Sequence, residues 1–542
     1  MMLTPVHRDA VLAPQVDTSS PILSVEGLTV ALPKGADRPL AVDHASLDLR
    51  RGEILCIVGE SGSGKSALSG AIMGAPAPGL TVTGGSVRLQ GQELTQLSER
   101  AWCRIRGNRI AMIFQEPMAA LNPAIPVGPQ IMEVFALHAR MSRVERRERA
   151  LALIRSMQLP DPERIAASYP HQLSGGQCQR VIIAMALAMK PEVLIADEPT
   201  TALDVTTQAQ VLKLISELRT VHGHAILFIT HDFGVVAEIA DRIAVMRHGR
   251  IVEIGAARQV LQQPTHPYTR ELLAAVPSLV PPPAVPVPPA TQPVLAVTGL
   301  RKSYGMVRAV NELSFELERG TTLAIVGESG CGKSSLARLI VRLTQPSSGR
   351  VEVNGRCYLS LKQGELRTSC RAVQMIFQDP FGSLNPLRRV GATVERAARL
   401  AGADRRTART RAGELFDRIG LPREAMERCP AAFSGGQKQR IGIARALAMN
   451  PDVLIADESL SALDASSQAQ IIELLRKLQH DLGLAILMIT HDLRVAAQIS
   501  HRIAVMQAGR IVEIGPAEQV INSPQHPYTR ELLDAAPGRG LV

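Results

Sequence analysis

Aromatic side chains are scarce in these 542 residues: one Trp, five Tyr and nine Phe, 3% of the chain. Proteins that read single-stranded nucleic acid need stacking platforms along the strand, so the scarcity argues against that role despite a formal net charge of +10. Basic residues are spread through the chain, and a solvated, mildly basic surface accounts for them. No apolar run approaches the roughly 18 residues needed to cross a bilayer; one of the longest uncharged stretches is Val181 to Met189. Residues 1–21 form a tail with Asp9 and Asp17 and no apolar core, which reads as neither signal peptide nor anchor. Any action at a membrane therefore needs other chains to do the spanning. The seven cysteines, Cys56, Cys103, Cys178, Cys331, Cys357, Cys370 and Cys429, form no C-x-x-C pair. Neither a zinc site nor a disulfide framework is expected, and a reducing cytoplasm suits them.

What is present is one domain written twice. The stretch Gly59-Glu60-Ser61-Gly62-Ser63-Gly64-Lys65-Ser66 returns as Gly327-Glu328-Ser329-Gly330-Cys331-Gly332-Lys333-Ser334. Both fit the phosphate-binding pattern G-x-x-x-x-G-K-[ST]. Each follows an apolar run, Ile54–Val58 or Leu323–Val326, and precedes a helix-like segment, Ala67 to Met73 or Ser335 to Leu343. The glycines let backbone N–H groups face a phosphate, and the helix N-terminus adds partial positive charge. Lys65 and Lys333 can reach the β- and γ-phosphates; Ser66 and Ser334 offer hydroxyls to Mg²⁺.

The offset between copies is 268 at Lys65/Lys333, 263 at Gln115/Gln378 and 260 from Ser174/Ser434 onward. Small loop changes therefore precede the Ser-Gly-Gly-Gln segment, and none separate the markers after it. Buried strands alternating with helices in each half predict an α/β core with a parallel sheet. The expected organisation is a tail over 1–21, a first domain over 22–276, a linker over 277–293 and a second domain over 294–542. Between Pro277 and Pro289 the proline density predicts an extended, semi-rigid tether.

Two apolar runs end in paired carboxylates, Asp197-Glu198 and Asp457-Glu458. A buried strand delivering Asp at its end is the Walker B arrangement, in which Asp197 and Asp457 hold Mg²⁺ through water. Glu198 and Glu458 then orient or deprotonate the attacking water. Ser174-Gly175-Gly176-Gln177 and Ser434-Gly435-Gly436-Gln437 each open a helix, offering a hydroxyl and free N–H groups to an anion. Together these segments resemble the ATP-binding cassette (ABC) family over nearly the whole chain. The resemblance implies two tandem P-loop NTPase domains, each a parallel-sheet α/β core with an antiparallel β subdomain and a helical subdomain.

The remaining family pattern is carried residue by residue. Gln115 and Gln378 match the glutamines that touch Mg²⁺ and report nucleotide state to a transmembrane partner. Asp204 and Asp464 match the D-loop aspartates, and His231 and His491 match the switch histidines. Tyr304 fits the aromatic that stacks on adenine; Leu32 stands at the corresponding place in the first half. In the family, the signature serine of one domain closes over ATP held by the other. One site would then join Lys65, Asp197, Glu198 and His231 to Ser434 and Gly436, and the other Lys333, Asp457, Glu458 and His491 to Ser174 and Gly176.

Each half ends in His-Pro-Tyr-Thr-Arg-Glu-Leu-Leu, His266 to Leu273 and His526 to Leu533. This tail resembles ATPase subunits of peptide, nickel and opine importers, and the wording of the halves resembles a fusion of the two dipeptide/oligopeptide import ATPases, as in some glutathione importers. The implied partners are two transmembrane permease subunits and an extracytoplasmic solute-binding protein, at the cytoplasmic face of the bacterial inner membrane. Peptide is the substrate this resemblance favours, with nickel or opine as alternatives. A soluble twin-cassette ATPase acting on ribosomes is the rival, but its linkers are long and charged, whereas this one is proline-rich and uncharged. Ser459-Leu460 replaces Pro199-Thr200 after the second catalytic glutamate, which itself remains. The proline tether stands where some relatives carry clustered cysteines, so no iron–sulfur cluster is expected.

Overall fold

The computed structural model describes residues 20–36, 38–201, 203–282, 292–377, 382–460 and 463–538. Gln378 and the central tether residues lie outside them. The first half is built on a six-stranded sheet in the order Arg250–Ala256, Arg242–Arg247, Ile54–Val58, Ala225–Ile229, Val193–Asp197, Ile110–Ile113. All its pairings are parallel except the outermost, Arg250–Ala256 on Arg242–Arg247. The central strands read as continuous apolar runs because both sheet faces are covered. Cys56, Leu194 and Ala196 pack toward the helices on one face, while Leu55, Ile57, Val193 and Ile195 pack against the other layer.

That other layer is an antiparallel sheet, Leu40–Leu49, Leu23–Ala31, Thr81–Leu89 and Gln92–Glu93. The second half repeats both sheets, its core strands running Val373–Ile376, Val453–Asp457, Ala485–Thr490, Thr322–Val326, Arg502–Gln507 and Arg510–Pro516. Helical inserts, among them Val127–His138 and Arg143–Ser156 in the first half and Val390–Leu400 and Arg405–Arg418 in the second, lie between the edge strand and the Ser-Gly-Gly-Gln helix. Among the described residues no helix is long and apolar enough to cross a membrane.

Two helix starts differ from the sequence expectation. The loop helices begin at Lys65 and Lys333, two residues before Ala67 and Ser335. Gly64 and Gly332, both at φ 108°, turn the chain straight into the helix. A Cβ there would meet the Ala41 carbonyl oxygen at 2.3 Å or that of Ala309 at 2.0 Å, so only glycine fits.

Candidate nucleotide site

Parallel strands end together, and an open α/β sheet gathers its chemistry at their carboxyl ends. After Val58 comes the phosphate loop, after Ile113 Gln115, after Asp197 Glu198, and after Ile229 His231. The sheet order places the His231 strand between the loop strand and the Asp197 strand.

Within the first loop, the Lys65 ammonium donates to the carbonyls of Gly59 at 2.7 Å and Glu60 at 2.9 Å. Burial holds this ammonium below its usual range, while the charges of Glu198, Asp197 and Asp464 partly restore it. Asp197 is buried and accepts the hydroxyls of Ser66 at 3.2 Å and Ser69 at 3.3 Å. Burial raises its carboxyl above the ordinary range, with Glu198 adding to the effect.

Glu198 stands in a left-handed backbone conformation, φ 47°, and its equivalent Glu458 at φ 45°. Non-glycine residues there store about 1–3 kcal/mol of strain. Their N–H groups donate to Ile229 and Ile489 at the end of the neighbouring strand, which holds them in place. The Glu198 carboxylate accepts from Gln115 and from Thr201, both at 3.0 Å, and faces His231 Nδ1 at 3.1 Å. Although burial opposes both charges, this pairing lowers the Glu198 carboxyl and raises the His231 imidazole relative to their ordinary values. The pairing thus favours the charged form of each side chain.

The second site repeats this with differences. Lys333 donates to Gly327 at 2.7 Å and Glu328 at 2.8 Å, and Ser334 to Asp457 at 3.2 Å. Ala337 occupies the place of Ser69. Asp457 is pushed up to about 6, chiefly by burial and then by Glu458. His491 Nδ1 lies 3.9 Å from Glu458, looser than its counterpart.

A carboxyl raised from 3.8 to about 6 destabilises the fold when ionised; the cost is absent below pH 4 and complete above pH 6. It amounts to about 3 kcal/mol. Asp457→Asn should therefore raise the melting temperature of the nucleotide-free chain at pH 8, with the gain shrinking toward pH 4. Melting curves of both chains across that range test this; an equal gain at both ends would contradict it.

Ser174 and Ser434 cap their helices, each accepting from the N–H three residues on, while Gln177 and Gln437 reach back to the cap N–H. A Cβ on Gly176 would meet Thr207 at 2.5 Å, and one on Gly436 would meet Ser467 at 3.1 Å. The signature helices thus abut the helices capped by Asp204 and Asp464.

Those aspartates reach across the halves. Asp464 accepts from the Ser61 N–H at 3.3 Å, and the Ser329 backbone hydrogen-bonds Asp204. The Thr206 hydroxyl donates to Glu328 at 2.7 Å. Each phosphate loop therefore faces the signature-bearing side of the other half. Gly62 and Gly330 have open space where a side chain would project, as does Gly175. Tyr304 is exposed at the end of its strand, and Leu32 is partly buried against its own half.

Sequence reasoning did not single out Ser69, Thr206, Glu328 or the seam formed by Arg494. That arginine donates to both oxygens of Asp232, at 2.9 and 2.8 Å, beside His231 of the other half. Gly234 stands at the equivalent place; a Cβ there would meet the guanidinium at 2.4 Å. A cavity between the halves is lined by His231, Asp232, Gln208, His491, Asp492 and Arg494.

Two phosphate loops, each facing the capped helices of the opposite half, define an ATP-binding ATPase of tandem-cassette type. The chain belongs to the ABC transporter family, whose model matches residues 42–201 and 310–461. A second family, "Oligopeptide/dipeptide transporter, C-terminal region", matches 252–298 and 512–539. The chain is 46% identical over 561 residues to "Glutathione import ATP-binding protein GsiA" of Escherichia coli (strain K12), covering 95% of this chain and 89% of that one. The protein of that name from Salmonella choleraesuis (strain SC-B67) is also 46% identical, with 96% and 90% covered. Among solved structures, the MJ0796 cassette in a post-hydrolysis state bound to ADP and Pi covers 44% of this chain and 99% of its own, at 30% identity and a TM-score of 0.40.

Proposed function

We propose that this chain is the ATPase subunit of an importer for glutathione or short peptides, working beneath two permease subunits supplied by an extracytoplasmic binding protein. It acts at the cytoplasmic face of the bacterial inner membrane, and its cassettes span 22–276 and 294–542, joined by the linker 277–293. The carrying observation is the crossed contact of Asp464 with the Ser61 N–H, which turns two half-sites toward each other. The oligopeptide-transporter tails and the glutathione-import relatives support the substrate class.

In this reading Lys65 and Lys333, with the N–H groups of Gly59, Ser61, Gly62, Gly64, Gly327, Ser329, Gly330 and Gly332, cradle the phosphates of ATP. Gly175, Gly176, Gln177, Gly435, Gly436 and Gln437 present Ser174 and Ser434 to the nucleotide of the opposite loop. Ser66, Asp197 and Gln115, or Ser334, Asp457 and Gln378, hold Mg²⁺. Their hard oxygen donors fit it, because Mg²⁺ is commonly bound through one carboxylate, waters and substrate phosphates. Among the described residues no cluster of three His, Cys, Asp or Glu offers a metal cage instead. Mg²⁺ would neutralise charge developing on the transferred phosphoryl group. Glu198 and Glu458 accept the proton of the attacking water, and His231 and His491 stabilise charge at the γ-phosphate. The permease's coupling segments dock on the inserts 116–172 and 379–433.

Adenine stacking by Tyr304 without an aromatic at Leu32 makes the second site the tighter one. Stacking contributes about 0.5–1.5 kcal/mol, so Tyr304→Leu should weaken MgATP binding there by up to about tenfold. Equilibrium dialysis checks this, and an unchanged affinity would remove the residue from adenine binding. Uptake of radiolabelled glutathione and dipeptides by cells with and without the gene tests the substrate; unchanged uptake of both would refute it.

A further inference from the structure

The two His-Pro-Tyr-Thr tails have no part in the nucleotide chemistry above, yet both run to the phosphate loops. Glu253 accepts the N–H groups of Thr265 at 2.8 Å and His266 at 3.1 Å, anchoring the tail to the strand Arg250–Ala256. Glu513 does the same for Gln525 at 2.8 Å and His526 at 3.0 Å. Each histidine caps the tail helix, its Nδ1 accepting from the tyrosine N–H at 3.1 Å in the first half and 3.2 Å in the second. Proline at the first helical position suits this start, since it has no N–H to leave unpaired. The ring that follows is buried, 2% exposed for Tyr268 and 5% for Tyr528.

The hydroxyls end on the loops. Tyr268 accepts from the Glu60 N–H at 3.3 Å and Tyr528 from the Glu328 N–H at 3.2 Å. The Glu60 N–H and the Gly59 carbonyl belong to one planar peptide unit, and that carbonyl carries Lys65. The Gly327–Glu328 unit is held in the same way, by Lys333 on one side and Tyr528 on the other. Glu328 also receives the Thr206 hydroxyl from the opposite half. The second tail therefore touches the residue through which its loop meets the other cassette. In the first half the Arg247 guanidinium lies 4.4 Å from the Tyr268 ring centre and holds it further; Gln507 stands at that place in the second half.

We propose that Tyr268 and Tyr528 are positioning residues for ATP, each fixing the peptide plane that opens the phosphate loop. The inference rests on the reading of these loops as the ATP cradles. When the lysine leaves the loop carbonyl for a phosphate, the tyrosine hydroxyl remains and keeps the plane from turning. The tail is thereby an extension of the nucleotide site.

The test uses the full-length chain carrying Tyr268→Phe with Tyr528→Phe, which removes two hydroxyls and keeps both rings. Calorimetric titration with MgATP should show affinity weakened about three- to tenfold, the range of a lost hydrogen bond. The melting temperature of the nucleotide-free chain should fall slightly, because the two hydroxyl contacts stand in that state as well. The half-saturating ATP concentration for hydrolysis should rise by a similar factor, with kcat held within about twofold. Tyr358→Phe, which removes a buried hydroxyl with no hydrogen-bond partner among the described residues, should leave affinity unchanged. Lys65→Ala with Lys333→Ala should abolish binding. Full binding in that lysine variant would refute the loop reading itself. Wild-type affinity in the tyrosine variant, with binding lost in the lysine variant, would overturn only the role of the tyrosines. A lowered melting temperature in the tyrosine variant together with wild-type affinity would mark a packing role and overturn it too.

Discussion

Replacing Glu198 and Glu458 by glutamine together should cut ATP hydrolysis by about 10²–10⁴-fold, the contribution of a general base, while ATP stays bound. The substitution is isosteric, so its effect falls on proton transfer. Glu198 is held by Gln115 and Thr201 at 3.0 Å each and by His231 at 3.1 Å; an amide oxygen still accepts from Gln115 and Thr201, whereas the contact with His231 Nδ1 survives only when that nitrogen accepts from the amide N–H. What is lost is the negative charge and the site for a proton. Lys65 and Lys333 remain, so phosphate binding is retained. The chain should accumulate with ATP closed between its halves, measured as phosphate release in parallel with retained nucleotide after gel filtration. Undiminished turnover would remove both glutamates from the chemistry.

The second large effect is expected at Arg494. Its guanidinium makes a two-pronged contact with Asp232 across the halves and also faces Asp492 of its own half at 3.3 Å. The arginine side chain is only 12% exposed. The Asp232 carboxyl is held below its ordinary range: burial opposes its charge, but the arginine more than offsets this. Arg494→Ala leaves two carboxylates facing each other with no cation between them. Breaking such a buried pair costs about 3–5 kcal/mol, or roughly 10²–10⁴-fold in the closed-to-open equilibrium. The tether keeps the halves near each other, so the variant should open without separating. Arg494→Lys should recover part of the effect, because an ammonium cannot grip both oxygens at once. Distances between spin labels on the two helical inserts report this. An unchanged distribution in Arg494→Ala would show that the seam does not hold the halves.

Much of the site was legible in the sequence because its residues are tied to local backbone patterns. A glycine-rich turn between an apolar strand and a helix, or two carboxylates after a buried strand, carries its geometry with it. Duplication then separated these signals from chance. Residues whose meaning depends on the opposite half were not legible. Arg494 against Gly234 is one difference among many between the copies, until the halves face each other and the glycine leaves room for the guanidinium. Thr206 reads as an ordinary residue of a helix's first turn until Glu328 is set against it. The tails were visible as a repeated motif, but nothing local connects Tyr268 to a loop more than 200 residues earlier. The loop helices begin earlier than their apolar pattern suggested because glycine at the turn, not helix propensity, sets their start. Gln378 lies outside the described residues, so the second glutamine stands on its sequence pattern alone.

The central claim is that each ATP is held by the loop of one half and the signature of the other. The most direct measurement is an electron cryomicroscopy structure of the Glu198→Gln, Glu458→Gln chain with MgATP. The account predicts that the γ-phosphate held by Lys65 lies within hydrogen-bond distance, about 3 Å, of the Ser434 hydroxyl, and that held by Lys333 equally near Ser174. A γ-phosphate at Lys65 approached by Ser174, or by neither serine in a closed chain, would contradict it.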